Sequence, residues 1–336
     1  MYKGIDQNTK DLLFQHLEIT PDTKVLLVYD LESDLSRELF NSYKKHLSNY
    51  QELLFSEDKE EEIREIADNL PKGSLVILIQ TGSFRLSKFR WRLELFHRGL
   101  KVIEHARLGH NSQDQEQTYI DSLTCDVDEQ SRIAQGISDL LDNTQELVFT
   151  FNDDSKLVIN GPFEETKKNL GVYHDLVNKG GGFPVGEAFV EPKDLANYNG
   201  TMRIRAYPSM DHKTIVCEPF NIQVENGKIT DIPKDAPQEF MKLVEMLESE
   251  NPGQGIPLRE IGFGVNKYIS FDKPLNEVTA FERLRGLHFS LGMKHNIYRK
   301  KVPKDVNQRY HIDVFTDIKE MRADDTVFFK EGDYCL

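Results

Sequence analysis

The period of apolar positions changes near residue 145. Before it, unbroken apolar runs alternate with segments of helical spacing. Residues 24–30 (Lys-Val-Leu-Leu-Val-Tyr-Asp) and 74–80 (Ser-Leu-Val-Ile-Leu-Ile-Gln) are continuous runs, the pattern of strands buried on both faces of a parallel sheet. Residues 51–55 and 101–105 predict two more strands. Between them the spacing predicts helices over 6–17, with Leu12, Leu13, His16 and Leu17 on one side, over 34–47 and over 60–70. Ser87 is placed to cap a helix that ends at Gly99. Helices at about 113–123 and 128–142 would close the unit. This alternation predicts an α/β N-terminal domain with an open parallel sheet over residues 1–144.

From 145 onward strand-like alternation dominates. Residues 146–150 and 156–160 flank Asn152-Asp153-Asp154-Ser155, a hairpin signal, and Asn226-Gly227 is a second one between strands at 214–224 and 228–232. A strand at 200–207 and a helix over 235–250 complete the pattern. Residues 145–336 therefore predict a mixed α+β, β-rich C-terminal domain. Two domains fit a chain of 336 residues at roughly 100–200 residues each. No repeat or low-complexity linker separates them, so packed domains are expected.

Composition narrows the function classes. The net charge of −14 argues against duplex nucleic acid and anionic membrane surfaces as partners, since both require a basic face. The one basic stretch, residues 84–98, mixes Arg85, Lys88, Arg90, Arg92 and Arg98 with Phe89, Trp91 and Phe96. It reads as an amphipathic helix with a solvated basic face, the alternative being a nucleic-acid helix. Cys125, Cys217 and Cys335 are far apart and odd in number, so neither a disulfide framework nor a thiolate zinc site follows. No signal-peptide core and no apolar run of about 18 residues is present, and a cytoplasmic location is expected. Asp30 and Gln80-Thr81-Gly82 end strands where open α/β sheets bind ligands. The glycine-rich phosphate fingerprints are missing, however.

Candidate chemistry lies in the second half. In residues 310–315 (Tyr-His-Ile-Asp-Val-Phe), His311 and Asp313 alternate with Ile312 and Val314. In a strand the imidazole and the carboxylate then share one face. Glu187 sits among Phe183, Val185, Phe189 and Val190, and a buried carboxylate is costly unless paired or metal-bound. Glu260 opens the run Ile261-Gly262-Phe263-Gly264-Val265-Asn266, whose glycines mark close approach or a bend. His288 lies in a strand-like run between Gly286 and Gly292. Taken singly, these segments also read as a half-buried strand, a loop acid, an edge strand and a packed core histidine. Taken together, Glu187, Glu260, His288, His311 and Asp313 make an oxygen and nitrogen ligand set suited to Zn²⁺, Mn²⁺, Co²⁺ or Fe²⁺. Five ligands exceed the usual need of one ion. They suit two ions about 3.5–4 Å apart sharing a carboxylate.

In order and approximate spacing these segments resemble the family of thermophilic metallo-aminopeptidases comprising aminopeptidase T and aminopeptidase S. Its Pro-x-Gly-Glu-Val-Phe motif corresponds to Pro184-Val185-Gly186-Glu187-Ala188-Phe189, and its Glu-Leu-Gly-Ile-Gly-x-Asn motif to Glu260 through Asn266. Its Gly-Thr-x-His-x-Ala-x-Gly motif corresponds, one residue shorter, to Gly286 through Gly292, and its His-Trp-Asp motif to His311-Ile312-Asp313. The similarity covers 145–336 well and the first half only in its α/β texture.

The resemblance implies a metal-dependent aminopeptidase, a hydrolase releasing N-terminal residues from short peptides. Two divalent ions (Zn, Co or Mn) would be held by the five ligands, with Glu260 bridging and Glu187 or Glu260 carrying the proton. It also implies a homodimer acting on a small peptide or small-molecule substrate. Two departures matter. His295 stands where the family has a tyrosine, as an oxyanion-stabilising candidate or a solvated loop residue, and the chain is shorter than the family's peptidases. A shorter relative, the 2,5-dihydroxypyridine dioxygenase, holds one Fe(II) and opens an aromatic ring. A mononuclear Fe(II) ring-cleaving dioxygenase is therefore the alternative, with His288, His311 and Asp313 as ligands, and an inactive metal- or peptide-binding relative is the second alternative. Asn266 and His295 are candidates to orient the imidazoles.

Overall fold

The computed structural model describes residues 2–84, 91–174, 176–250, 252–292 and 311–336. Strands along the first half are β1 (Val25–Tyr29), β2 (Tyr50–Leu54), β3 (Leu75–Ile79), β4 (Lys101–His105), β5 (Glu146–Phe151), β6 (Lys156–Asn160), β7 (Lys167–Asn169) and β8 (Gly180–Gly182). They continue as β9 (Glu187–Val190), β10 (Tyr198–Pro208), β11 (Thr214–Glu225), β12 (Lys228–Asp231), β13 (Leu258–Gly264), β14 (Gly286–Gly292), β15 (His311–Thr316), β16 (Ile318–Ala323), β17 (Thr326–Lys330) and β18 (Asp333–Tyr334). The helices are α1 (Ile5–Asp11), α2 (Asp34–His46), α3 (Glu60–Asp68), α4 (Trp91–His97), α5 (Glu116–Ser122), α6 (Val127–Leu141), α7 (Gln238–Glu250) and α8 (Val278–Phe281). Among the described residues no helix is long and apolar enough to cross a membrane.

The strands form two sheets. The first is wholly parallel, in the order β2-β1-β3-β4-β8. All residues of β1 and β3 are buried, as their unbroken apolar runs predict. One face is covered by α3 and α4 through Ile63, Ala67, Trp91 and Leu95 against Leu26, Val28, Val76 and Val102. Toward the end of β4, the buried His105 ring bridges the hydroxyls of Tyr43 on α2 and Tyr119 on α5, each at 2.8 Å. Leu12, Leu13, His16 and Leu17 are buried as the 6–17 pattern predicts. The helix tightens only to Asp11, and the segment Leu12–His16 widens into a π turn. The second sheet is antiparallel, β18-β17-β16-β5-β6-β10-β15-β14-β13-β9-β7, with β11 and β12 branching from β10.

The chain divides into two compact units that differ from a single cut at residue 144. One comprises Met1–Val127, Gly171–Val185 and Lys273–Ala280; the other Asp128–Leu170, Gly186–Asp272 and Phe281–Leu336. The physical reason lies in three segments. Helix α6 buries Ile133, Ala134, Ile137 and Leu141 in one core with Leu147, Phe149, Leu157 and Ile159 of the antiparallel sheet. Each such side chain contributes about 1.5–3 kcal/mol of burial, so α6 belongs with the sheet that follows it. The glycine triplet of β8 adds a fifth strand to the parallel sheet. A Cβ on Gly180, whose φ is +112°, would lie 1.8 Å from the Val102 carbonyl oxygen. The segment Lys273–Ala280 is tied to the first unit by Arg107, whose Nε donates to Glu277 Oε1 at 2.8 Å, and by Gln115, which donates to Asn276 Oδ1 at 3.1 Å.

Two functional expectations for the first unit resolve locally. The Asp30 carboxylate accepts the Thr81 backbone N–H at 2.6 Å as well as its hydroxyl, so it ties the ends of β1 and β3 together. Of the basic stretch, residues 85–90 lie outside the described residues. Arg92 pairs with Glu104 at 2.7 Å and Arg98 with Asp68, while Trp91, Leu95 and Phe96 are buried.

Ile137→Ala is expected to lower stability by about 2–5 kcal/mol. The loss should appear as reduced hydrogen-exchange protection in β5 and β6, with β1 and β3 unchanged. A loss of protection confined to β1 and β3 would contradict the placement of α6.

Candidate metal centre

Four neighbouring strands, β9, β13, β14 and β15, build the centre. Gly264 faces Glu187, Gly262 faces His288, Ser290 faces Asp313 and Gly292 faces His311 across the ladders. Side chains alternate along a strand, so this register sends Glu187, Glu260, His288, His311 and Asp313 to one face. The intervening Ala188, Val190, Ile261, Phe263, Leu287, Phe289, Leu291, Ile312 and Val314 go to the other and are all part of one apolar core. That core anchors the carboxylates and imidazoles from beneath.

Gly262 makes room for one imidazole. A Cβ at this position would lie 2.0 Å from His288 Nε2 and 2.1 Å from its Cε1. Gly264 is constrained by backbone, since a Cβ there would sit 1.9 Å from the Leu284 carbonyl oxygen. Both kinds of close approach were implicit in the alternating glycines. Ser290, fully buried, accepts the Glu260 backbone N–H on its hydroxyl at 3.0 Å, which fixes Glu260 over β14.

The ligand atoms fall into two groups that share Glu260. Glu187, Glu260 and His288 form one, and Glu260, His311 and Asp313 the other, with all atoms of a group within 4.8 Å of one another. His288 Nε2 lies 3.1 Å from Glu187 Oε1. His311 Nε2 lies 3.2 Å from Asp313 Oδ1 and 3.8 Å from Glu260 Oε1. Glu187, Glu260, His288 and Asp313 are buried and His311 is partly exposed. Glu260 Oε2, Asp313 Oδ1 and both ring nitrogens of His288 are buried without a hydrogen bond among the described residues. His288 Nε2, though near Glu187, does not meet it at a hydrogen-bond angle. Buried polar atoms are ordinarily satisfied, and two groups of carboxylate oxygens and imidazole nitrogens that include such orphaned atoms are a donor set that fits divalent cations.

Charge coupling within the cluster is strong. Burial drives the Glu260 carboxyl well above the ordinary range. His311 opposes this, while Glu187, Asp313 and Glu191 reinforce it. Burial also disfavours the charged forms of Glu187 and Asp313. Arg283 with His288 outweighs it at Glu187, and His311 outweighs it at Asp313, so both stay below the usual carboxylate range. Burial lowers His311, but Asp313 overrides it and raises the imidazole to about 10.

All five ligand candidates read from the sequence meet here, and His295 lies outside the described residues. Asn266 is fully buried; its Oδ1 accepts the Tyr268 N–H at 3.1 Å and its own N–H donates to the Arg283 carbonyl at 3.1 Å. Sequence reasoning missed Arg283, which contacts Glu187 Oε2 through one nitrogen and lies 3.4 Å from Glu282 Oε2 through another. Nothing in a Phe281-Glu282-Arg283-Leu284 string distinguishes it from a surface pair. Glu191 and Glu282, both felt by the cluster's charges, were missed for the same reason.

No protein-family model matches the chain, and no curated protein matches it. Solved structures do share its fold over nearly the whole length. They include 2,5-dihydroxypyridine dioxygenase from Pseudomonas putida KT2440, at 13% identity and a TM-score of 0.66, covering 98% of this chain and 96% of that one. Wild-type AmpT from Thermus thermophilus matches at 12% identity and a TM-score of 0.61, covering 99% of each chain. At such identities the likeness defines the fold alone, and the fold is the part of the expected resemblance that it bears out.

Gly262→Ala is expected to push the His288 ring from its place and lower stability by about 1–3 kcal/mol, measured as a shift in the urea midpoint. An unchanged midpoint would show that the ring has space the structure denies it.

Proposed function

We propose that this chain is a metal-dependent, aminopeptidase-like hydrolase that releases N-terminal residues from short peptides. The observation that carries the reading is the sharing of Glu260 between two ligand groups. A carboxylate common to both is what two adjacent ions require, and a single-ion site has no need of it. The likeness of fold to AmpT supports the same reading. Glu187, Glu260 and His288 would hold one ion, and Glu260, His311 and Asp313 the other. Divalent ions bound there would polarise a scissile carbonyl and make water a nucleophile near neutral pH.

The chain's own residues supply the rest. Ser290 holds the Glu260 backbone, so the shared carboxylate stays centred between the groups. Asp313 beside His311 orients that ring. Glu187 or Glu260 would carry the proton to the leaving amine. His295, the sequence's candidate either for the developing oxyanion or for a solvated loop position, lies outside the described residues.

One observation favours a second reading. With Glu187 engaged by Arg283, His288, His311 and Asp313 supply the two histidines and one carboxylate of the kind a single Fe²⁺ takes in oxygenases, although the ligand groups that close within 4.8 Å place His288 with the two glutamates and His311 with Asp313 and Glu260. The fold likeness to the dioxygenase is compatible with it.

Anaerobic purification, metal counting and parallel assays separate the two. Hydrolysis of leucine p-nitroanilide with two Zn²⁺, Mn²⁺ or Co²⁺ per chain is the expected result. One Fe²⁺ per chain, with oxygen uptake dependent on a dihydroxypyridine and no amide cleavage, would establish the oxygenase instead. Glu260→Ala and His311→Ala should each lose bound metal and reduce turnover by about 100-fold or more, since even residues that merely support a ligand cost 10–100-fold. Unchanged metal content in both variants would remove the ligand assignment.

Metal uptake should also release protons. Ligands bind deprotonated, whereas the metal-free protein holds His311 protonated up to about pH 10 and keeps Glu260 protonated well above the carboxylate range. Affinity is therefore expected to fall as pH falls and rise as pH rises. Calorimetric enthalpies near neutral pH should vary with the ionisation heat of the buffer. Enthalpies independent of buffer would contradict this.

A further inference from the structure

Arg283 and Arg285, both enclosed in the second unit, are employed differently. Arg285, with 11% of its side chain exposed, is neutralised by Glu129 and Asp333, both at 2.7 Å and neither a member of a ligand group. Arg283 is equally enclosed at 11%, but its contact is Glu187 Oε2, an oxygen of a candidate ligand. Its other terminal nitrogen lies 3.4 Å from Glu282 Oε2. The Arg283 carbonyl accepts the Asn266 N–H at 3.1 Å, and Asn266 immediately follows the strand segment that carries Gly262 and Gly264. The Arg283 backbone is therefore anchored beside β13, and its enclosed guanidinium is held by the two glutamates.

The two ligand groups consequently differ in charge. Each contains two carboxylates and one imidazole. In the Glu187 group, one carboxylate is already engaged by a fixed cation that cannot lose its proton in a protein. A second cation entering this group must break or share that buried pair and sit beside a guanidinium in a low-dielectric site, where like charges repel strongly. In the His311 group, among the described residues, Asp313 Oδ1 is buried without a hydrogen bond and no arginine is paired with Asp313, although Arg283 feels its charge more weakly than that of Glu187.

We propose that Arg283 makes the two metal positions unequal: the Glu260–His311–Asp313 position fills first, and the Glu187–Glu260–His288 position fills second and more weakly, because Arg283 stands in for its cation. This inference rests on the metal reading above and specifies how that site is loaded. It assigns Arg283 the role of a positioning residue that sets ion number.

The test is a Co²⁺ titration of the metal-stripped full chain, followed by calorimetry and by the visible absorption of the bound ion. The expected result is two steps separated by about tenfold or more in affinity, or a single step where the second is too weak to reach. His288→Ala should abolish only the weaker step, and His311→Ala should remove the tighter one. Arg283→Met should strengthen the weaker step, whereas Arg283→Lys, which keeps the charge, should preserve the gap. Two equal steps in the unaltered protein would overturn the proposal. So would loss of the tighter step in His288→Ala, or a weaker step that Arg283→Met leaves no stronger. Failure of the unaltered chain to bind any Co²⁺ would defeat the metal reading itself and this inference with it. Two ions bound with equal affinity would leave the metal reading intact and defeat only the role of Arg283.

Discussion

The pairing register of β13 with β14 is the constraint on which the rest of the second unit depends. With Gly262 opposite His288 and Ile261 opposite Phe289, the polar residues of both strands share one face and the apolar ones share the other. A slip of one residue would exchange the faces. His288 and Glu260 would then enter the core beside Phe149, and Phe263 and Phe289 would be expelled from it. The core therefore enforces the site: Phe289 packs edge-on to Phe149 at 5.5 Å, and no arrangement keeps that contact while turning His288 over.

Packing so many ionisable groups together is unfavourable in isolation. Three buried carboxylates and two imidazoles lie on adjacent strands, and burial disfavours the charged forms of Glu187, Glu260, Asp313 and His311. The cluster tolerates this by partition. Glu187 is balanced by Arg283, Asp313 is balanced by His311, and Glu260, between them, keeps its proton. The one carboxylate that belongs to both ligand groups is thus the one left without a counter-charge of its own.

The fold likenesses bear on function only indirectly. A shared architecture hosts different chemistries, and activity is decided by the groups mounted on it. Here the similar folds include a dioxygenase and AmpT, so the likeness leaves the reaction to the groups mounted on the fold.

The sequence by itself determined the local periods. Unbroken apolar runs specified β1 and β3, and strict alternation around Ile312 and Val314 placed His311 and Asp313 on one face before any partner strand was known. The glycines at 262 and 264 likewise marked a strand that something approaches closely. What approaches was decided only by tertiary structure, because it is an imidazole 26 residues away in the chain, brought in by an antiparallel register. The membership of α6, β8 and residues 273–280 was also undecidable from sequence, since a helix or a glycine triplet carries no signal of which sheet it will cover. Arg283 illustrates the limit most directly. Its type and neighbours are those of a solvated charge, and only the fold, by burying it against Glu187, turned a common surface residue into a fixed cation beside the site.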